Sequence, residues 1–295
     1  MSKVLIIGSG PAGVSAALYA RRGGAEVTVL SKGLELSGLA KAEKIENYYG
    51  LAEPISGAEL YARGIEGAKK IGVEFLEDEL LSLMFNDDFT GFKVTGKAHV
   101  FEADAVIVAT GASRQSLNVP GVKEFEGKGV SYCATCDAFF YRGKTVAVVG
   151  AGEYALHEAQ SLLPHAAQVY MLTNGAALTA EVTADISVHT EKIAAIAGGE
   201  RVAKVVFADG TELSLDGVFM ALGTAGSTAI AKKIGAQLDG NRIKIDAHGA
   251  TNVPGLFAAG DCTGGLLQVA KAVYQGAEAG LAAVKYLRGK NKPSH

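Results

Sequence analysis

Val4-Leu5-Ile6-Ile7-Gly8-Ser9-Gly10-Pro11-Ala12-Gly13 is the stretch on which the fold of this 295-residue chain turns. A short apolar run meets three glycines at GxGxxG spacing, and a small-residue segment follows over 14–22. A buried strand, a tight turn and a helix satisfy that pattern. The first glycine permits the turn, the second lets backbone approach a pyrophosphate, and the third lets helix and strand close on each other. Free N–H groups at the helix start then face the phosphates. With a second apolar run over 26–30 the unit is β-α-β, and Gly8, Ser9, Gly10, Pro11, Ala12 and Gly13 are expected to hold a dinucleotide. The acidic residue that ordinarily takes the ribose after the second strand is missing. Ser31-Lys32 stands there, so the ribose must be held by another group or by backbone.

The pattern restarts about 140 residues on. An apolar strand over 145–149 meets Gly150-Ala151-Gly152-Glu153-Tyr154-Ala155, followed by a helix over 154–163 and a strand over 168–172. Alanine can replace the third glycine, so Gly150, Gly152 and Ala155 form a second candidate nucleotide turn. Two features weaken it. Glu153 sets a carboxylate where a pyrophosphate would approach, and no Lys or Arg occurs from Thr145 through Glu191. A 2′-phosphate ordinarily wants an arginine clamp after the second strand, so NADPH is disfavoured; NADH, or a turn kept for packing alone, remains open.

Between and beyond the two repeats lie a helix over 57–71, a strand over 105–109 running into Thr110-Gly111, and a hairpin over 202–215. A strand over 252–260 is aimed at Asp261, and a helix runs from 267 to about 287. The economical topology is α/β, with two Rossmann-like (three-layer ββα/βαβ) nucleotide-binding domains, the second inserted in the first. The first domain takes residues 1–116 and 243–295; the inserted one takes 117–242.

Charge and cysteine usage narrow the class. With 28 basic and 31 acidic side chains and no cationic block, nucleic acid is an unsuitable partner. No apolar run has the length of a membrane span, and the immediate entry into a strand pattern leaves no room for a secretory signal. Three cysteines are too few for a secreted disulfide framework and point to a reducing, cytoplasmic setting. Cys133-Ala134-Thr135-Cys136-Asp137 is then the chemical centre. One thiolate attacks a substrate disulfide, its neighbour resolves the mixed intermediate, and Asp137 is placed to manage the thiol protons. Zinc would need at least two further ligands that the scattered histidines and single Cys262 do not supply, so no metal is expected. Cys262 reads as a small buried residue, with a third redox role as the alternative.

Taken together, Gly8-Ser9-Gly10-Pro11-Ala12-Gly13, Ile45-Glu46-Asn47-Tyr48-Tyr49-Gly50, Ala109-Thr110-Gly111-Ala112, Cys133-Ala134-Thr135-Cys136-Asp137 and Ala258-Ala259-Gly260-Asp261 resemble the low-molecular-weight thioredoxin reductases. These are of the FAD-containing pyridine nucleotide–disulfide oxidoreductase type, and the resemblance runs over nearly the whole chain. It implies FAD at the first turn, Asn47 near the flavin, Asp261 on the ribityl chain, and Thr110, Gly111, Gly260 and Gln268 beside them. It also implies that Cys136 lies nearer the flavin, that Cys133 attacks thioredoxin or a thioredoxin-like protein, and that the protein is a homodimer.

The chain also departs from that pattern. Leu36-Ser37-Gly38-Leu39 replaces the usual Gly-Gly-Gln-Leu, Leu267-Gln268 replaces Arg-Gln, and the His-Arg-Arg-x-x-x-Arg signature is absent. In this it resembles the flavin thioredoxin reductases of anaerobes that take electrons from ferredoxin, and also reductases whose natural donor is undefined or is NADH. A flavin oxidase, or a flavin binder without turnover, is a different class of reading; retention of both cysteines and Asp137 speaks against each.

Overall fold

The N-terminal pattern folds as a strand, a turn and a helix, β1 (Lys3–Ile7) and α1 (Pro11–Arg22). The helix starts three residues before the expected segment because Pro11 occupies its first turn, where the missing N–H has no partner to lose. The computed structural model describes residues 2–33, 39, 42–111, 117–132, 134–222, 227–240 and 242–290, without the side chains of 135, 136 and 227–229. Leu36, Ser37, Gly38, Ala112 and Cys133 lie outside the described residues.

The chain divides into two compact units, Met1–Ser113 with Gly226–His295, and Arg114–Ala225. In the first unit, β2 (Glu26–Ser31) follows α1, and α2 (Gly57–Lys70) leads into β3 (Glu74–Glu77). β4 (Leu80–Phe85), β5 (Phe92–Gly96) and β6 (Val100–Ala103) form an antiparallel sheet. β7 (Ala105–Val108) returns to the parallel sheet beside β1. Its residues read as an uninterrupted apolar run because both faces of that strand are covered.

The second unit holds β8 (Val130–Ser131), the short α3 (Ala134–Asp137) and a 3₁₀ turn over Ala138–Tyr141. Then come β9 (Thr145–Val149), α4 (Glu153–Leu162), β10 (Gln168–Leu172) and β11 (Ile186–His189). An antiparallel sheet of β12 (Ile193–Gly198), β13 (Val202–Phe207) and β14 (Glu212–Ser214) precedes β15 (Gly217–Met220). The parallel sheet has the order β11-β10-β9-β15-β8.

The first unit resumes with α5 (Ser227–Lys233), β16 (Leu238–Asp239), β17 (Arg242–Ile243), β18 (Leu256–Ala258) and α6 (Val269–Lys290). Its parallel sheet has the order β18-β7-β1-β2-β3. The return comes earlier than residue 243 because 227–240 packs with the first unit. Gln237 N donates to Asn252 Oδ1 at 2.6 Å, and Asn252 Nδ2 to Gly235 O at 3.0 Å.

Each unit has its own core. Ile6, Val29, Ile107 and Ala283 are fully buried in the first, and Ala147, Val149, Leu172 and Val218 in the second. The repeat seen in the sequence extends to register. Lys3 pairs with Glu26 and Thr145 with Gln168. Gly8 N donates to Leu30 O at 2.8 Å, and Gly150 N to Leu172 O at 3.0 Å.

Candidate active site

The first glycine turn is built by close backbone approach. A Cβ on Gly8 would sit 2.3 Å from Ala109 O, and one on Gly13 would sit 1.8 Å from Gly8 O, so neither position accepts a side chain. Gly10 has nothing within 4 Å of that point, which leaves its surface open to a ligand. The turn lies against the end of β7, with Thr110 N 3.1 Å from the Gly8 Cβ position, and against Gly260, whose Cβ position is 2.8 Å from Ala12 Cβ. Residues from three distant stretches thus meet at the C-terminal ends of β1, β7 and β18, where open α/β sheets take their ligands. Thr110 Oγ1 is buried there without a partner among the described residues. Asn47 Nδ2 donates to Gln268 Oε1 at 3.1 Å, which joins two more of the sequence candidates.

At the tip of β2, where an acid was expected and missing, there is a chain of hydroxyls. Ser9 Oγ donates to Ser31 Oγ at 2.8 Å and shares a hydrogen bond of 2.7 Å with Tyr61 Oη. Lys32 turns away to Glu79 at 2.8 Å.

The cysteine segment occupies α3 in the second unit. Cys136 is on that helix and Cys133 directly precedes it. Two carboxylates bracket it. Ser131 Oγ donates to Asp137 Oδ2 at 2.6 Å. Ala134 N donates to Glu158 Oε2 at 2.9 Å, and Glu158 is 1% exposed. Beyond the helix, Phe139 and Phe140 are 66% and 67% exposed, with the Arg142 guanidinium 5.5 Å from the Phe139 ring centre.

The second glycine turn repeats the skeleton of the first. A Cβ on Gly150 would sit 2.3 Å from Ala221 O and 2.6 Å from Ala155 Cβ. Its ligand-facing chemistry differs. Glu153 opens α4, which places a carboxylate in the helical turn that would otherwise attract an anion. The Ala151 carbonyl accepts from Thr179 N at 2.8 Å and Thr179 Oγ1 at 3.2 Å, so the chain beyond β10 folds back onto the turn. Thr173, the counterpart of Ser31, is 1% exposed with its hydroxyl unpartnered among the described residues. The Lys192 stem does reach this region, 3.0 Å from the Cβ position of Gly175.

The sequence matches the pyridine nucleotide-disulphide oxidoreductase family over residues 2–276. The chain belongs to this family. A thioredoxin reductase of Aquifex aeolicus (strain VF5) is 34% identical over 308 residues, covering 98% of this chain and 94% of that protein. Among solved structures, the atypical thioredoxin reductase of Desulfovibrio vulgaris Hildenborough is 39% identical, with full coverage of both chains and a TM-score of 0.92. A ferredoxin-flavin thioredoxin reductase from Clostridium acetobutylicum is 32% identical over 98% of this chain and 99% of its own, with a TM-score of 0.75.

Membership in the pyridine nucleotide-disulphide oxidoreductases implies FAD, and the residues present fit it. The open surface at Gly10, the orphaned Thr110 hydroxyl and the packed Gly8 and Gly13 supply what a bound dinucleotide needs. Three contributors to these sites escaped the sequence reading. Tyr61 sits on α2, far from Ser9 in sequence. Ser131 looks like an ordinary strand residue. Glu158 looks like a surface charge on an amphipathic helix, and only its burial reveals otherwise. Cys262 is buried and donates to Ala259 O at 3.2 Å and Val108 O at 3.4 Å; burial pushes its thiol up to about 12.

Proposed function

We propose that this chain is an FAD-dependent thioredoxin-disulfide reductase that passes two electrons through Cys133 and Cys136 to thioredoxin or a thioredoxin-like protein. The observation that carries it is the pair of anchored carboxylates, Asp137 and Glu158, around the cysteine helix of a chain with thioredoxin reductases as relatives. The first unit is the flavin domain, with Gly8 to Gly13, Asn47, Thr110, Gly111, Gly260, Asp261 and Gln268 holding the cofactor. Bound FAD would supply the electron pair that reopens the Cys133–Cys136 disulfide.

The dithiol then works as follows. Cys133 gives up its proton and attacks one sulfur of the substrate disulfide, forming a mixed disulfide and releasing one substrate thiolate. Cys136 gives up its proton and attacks the Cys133 sulfur, releasing the second thiolate and re-forming the Cys133–Cys136 disulfide. The two protons pass to the two thiolates, with Asp137 as the relay that Ser131 holds in place. Phe139 and Phe140, just past the cysteine helix, give a partner protein an apolar face.

The electron donor is proposed to be other than NADPH. Glu153 in the turn, Thr179 folded back on Ala151, and the absence of Lys or Arg from 145 through 191 all support that reading. NADH and reduced ferredoxin are the remaining classes, the latter favoured by the likeness to a ferredoxin-flavin enzyme. Mixing the oxidised protein anaerobically with NADPH, NADH and reduced ferredoxin, and following flavin bleaching, tests it; fast bleaching by NADPH overturns it. Anaerobic titration tests the reductase itself. About four electrons per chain are expected, two on the flavin and two on the disulfide, whereas uptake ending at two means an oxidase or a simple flavin binder. We also propose a homodimer, supported by the exposed Tyr274 and Leu281 seven positions apart on α6, with light-scattering mass as its check.

A further inference from the structure

The turn that carries Asp261 is held by a lysine from the helix behind it. Lys271 Nζ donates to Gly260 O at 2.7 Å and Gly264 O at 2.6 Å, with Thr263 Oγ1 at 3.4 Å. One helical turn further along α6, Gln275 Oε1 accepts from Gly260 N at 3.0 Å and Thr263 Oγ1 at 2.9 Å. Residues four apart share a helix face, so the two side chains grip both ends of the turn as a unit.

An ammonium that exchanges water for two backbone carbonyls gives up hydration. Desolvation accordingly pulls the Lys271 pKa below its ordinary value; Asp261 and the Cys262 thiol oppose that shift, and Arg242 reinforces it. Arg242 also approaches the turn, its Cδ 2.2 Å from the Cβ position of Gly264. Lys271 and Arg242 thus both approach the turn that carries Asp261, and Arg242 has Asp239 as its cross-strand partner on β16. The fold keeps a partly desolvated ammonium at this turn, and the two carbonyls it holds offset part of the lost hydration.

We propose that Lys271 is a positioning residue for the flavin cofactor: it fixes the Asp261 turn against α6 and lends that turn a fixed positive charge toward the cofactor. The inference rests on the reading that the Gly8 and Asp261 turns hold FAD.

The test uses the full chain, stripped of flavin and titrated with FAD, as wild type, Lys271→Met, Lys271→Gln and Lys271→Arg. Loss of a charged hydrogen-bonding group predicts FAD binding weaker by about tenfold or more in Lys271→Met. Lys271→Gln keeps a donor and loses the charge, and is expected to bind with intermediate affinity. Its bound flavin should shift to a lower midpoint potential by about 30 mV, the two-electron equivalent of a tenfold change. Lys271→Arg should restore affinity to within a few-fold of wild type. Wild-type affinity and potential in Lys271→Gln overturn the proposal, even if Lys271→Met fails to fold. If wild-type protein itself binds no FAD, the underlying reading fails, and that outcome is distinct from the first.

Discussion

The Ser131 hydroxyl donates to the Asp137 carboxylate across 2.6 Å, from the end of one strand to the end of the cysteine helix. That bond aims the group assigned to proton transfer. Asp137→Asn should lower turnover of a protein disulfide by about 10²–10⁴-fold, the range of a general acid–base. Ser131→Ala should have a smaller effect in the same direction. Stopped-flow flavin reduction by a competent donor should be unchanged in both, and slowing there would remove Asp137 from the thiol step.

Glu158 places a buried carboxylate on the N–H of the residue between Cys133 and Thr135. Glu158→Ala leaves that N–H without its acceptor, at a cost of about 1.5–3 kcal/mol. Lower thermal stability and faster iodoacetamide labelling of the reduced cysteine segment are expected. Glu158→Gln, which keeps an acceptor oxygen, should fall between Glu158→Ala and wild type.

Phe139 and Phe140 are exposed beside the cysteine helix. The double change Phe139→Ser/Phe140→Ser should raise KM for a thioredoxin-like protein by about tenfold, as expected when aromatic anchors of an interface are lost. Reduction of a small synthetic disulfide should be unaffected. Equal losses on both substrates would mean that the aromatics support the fold instead.

Asp78 predicts an acid limit for the first unit. Its carboxylate is buried, which raises its pKa, but hydrogen bonds from Ala98 N, the His99 ring, Glu79 N and His99 N outweigh burial and hold it below the usual value. A depressed folded pKa contributes stability above the unfolded pKa of about 3.9 and loses it as pH falls through the folded value. Chemical denaturation at pH 7 and pH 3 should show a loss of stability that is smaller in Asp78→Ala, because that variant has already lost the contribution.

Cys262 should be inert. With its thiol pushed up to about 12 inside the first unit, at most two of the three cysteines should react quickly with Ellman's reagent in native, reduced protein. The third should appear only on unfolding. Cys262→Ser should keep disulfide turnover, and its loss would give this residue a redox role.

Both glycine turns, their strands and the parallel sheets were legible because local pattern and backbone geometry coincide there. Gly8 and Gly13 have no room for a side chain, and that requirement is written directly in the spacing. Element ends were less legible. The strand expected over 252–260 spans only Leu256–Ala258, because Thr251 is drawn into a turn in which its Oγ1 donates to Leu256 O at 2.9 Å. Groups that act from other elements were illegible. Tyr61 reaches Ser9 from α2, and Lys192 reaches the loop after β10 from just past the stretch that reads as free of cations. Proximity of that kind depends on packing and leaves no local trace.

The second turn is crowded by Ala221 and Ala155 as tightly as the first is by its own neighbours. Sterics therefore hold Gly150 in place with or without a nucleotide, a constraint that does not reach Glu153. Such a signature does not by itself report its cargo. Surveys that count dinucleotide enzymes by glycine spacing will score this turn alike in a lineage that feeds it nicotinamide and in one that abandoned that fuel, so inventories of electron supply need the flanking side chains as their key.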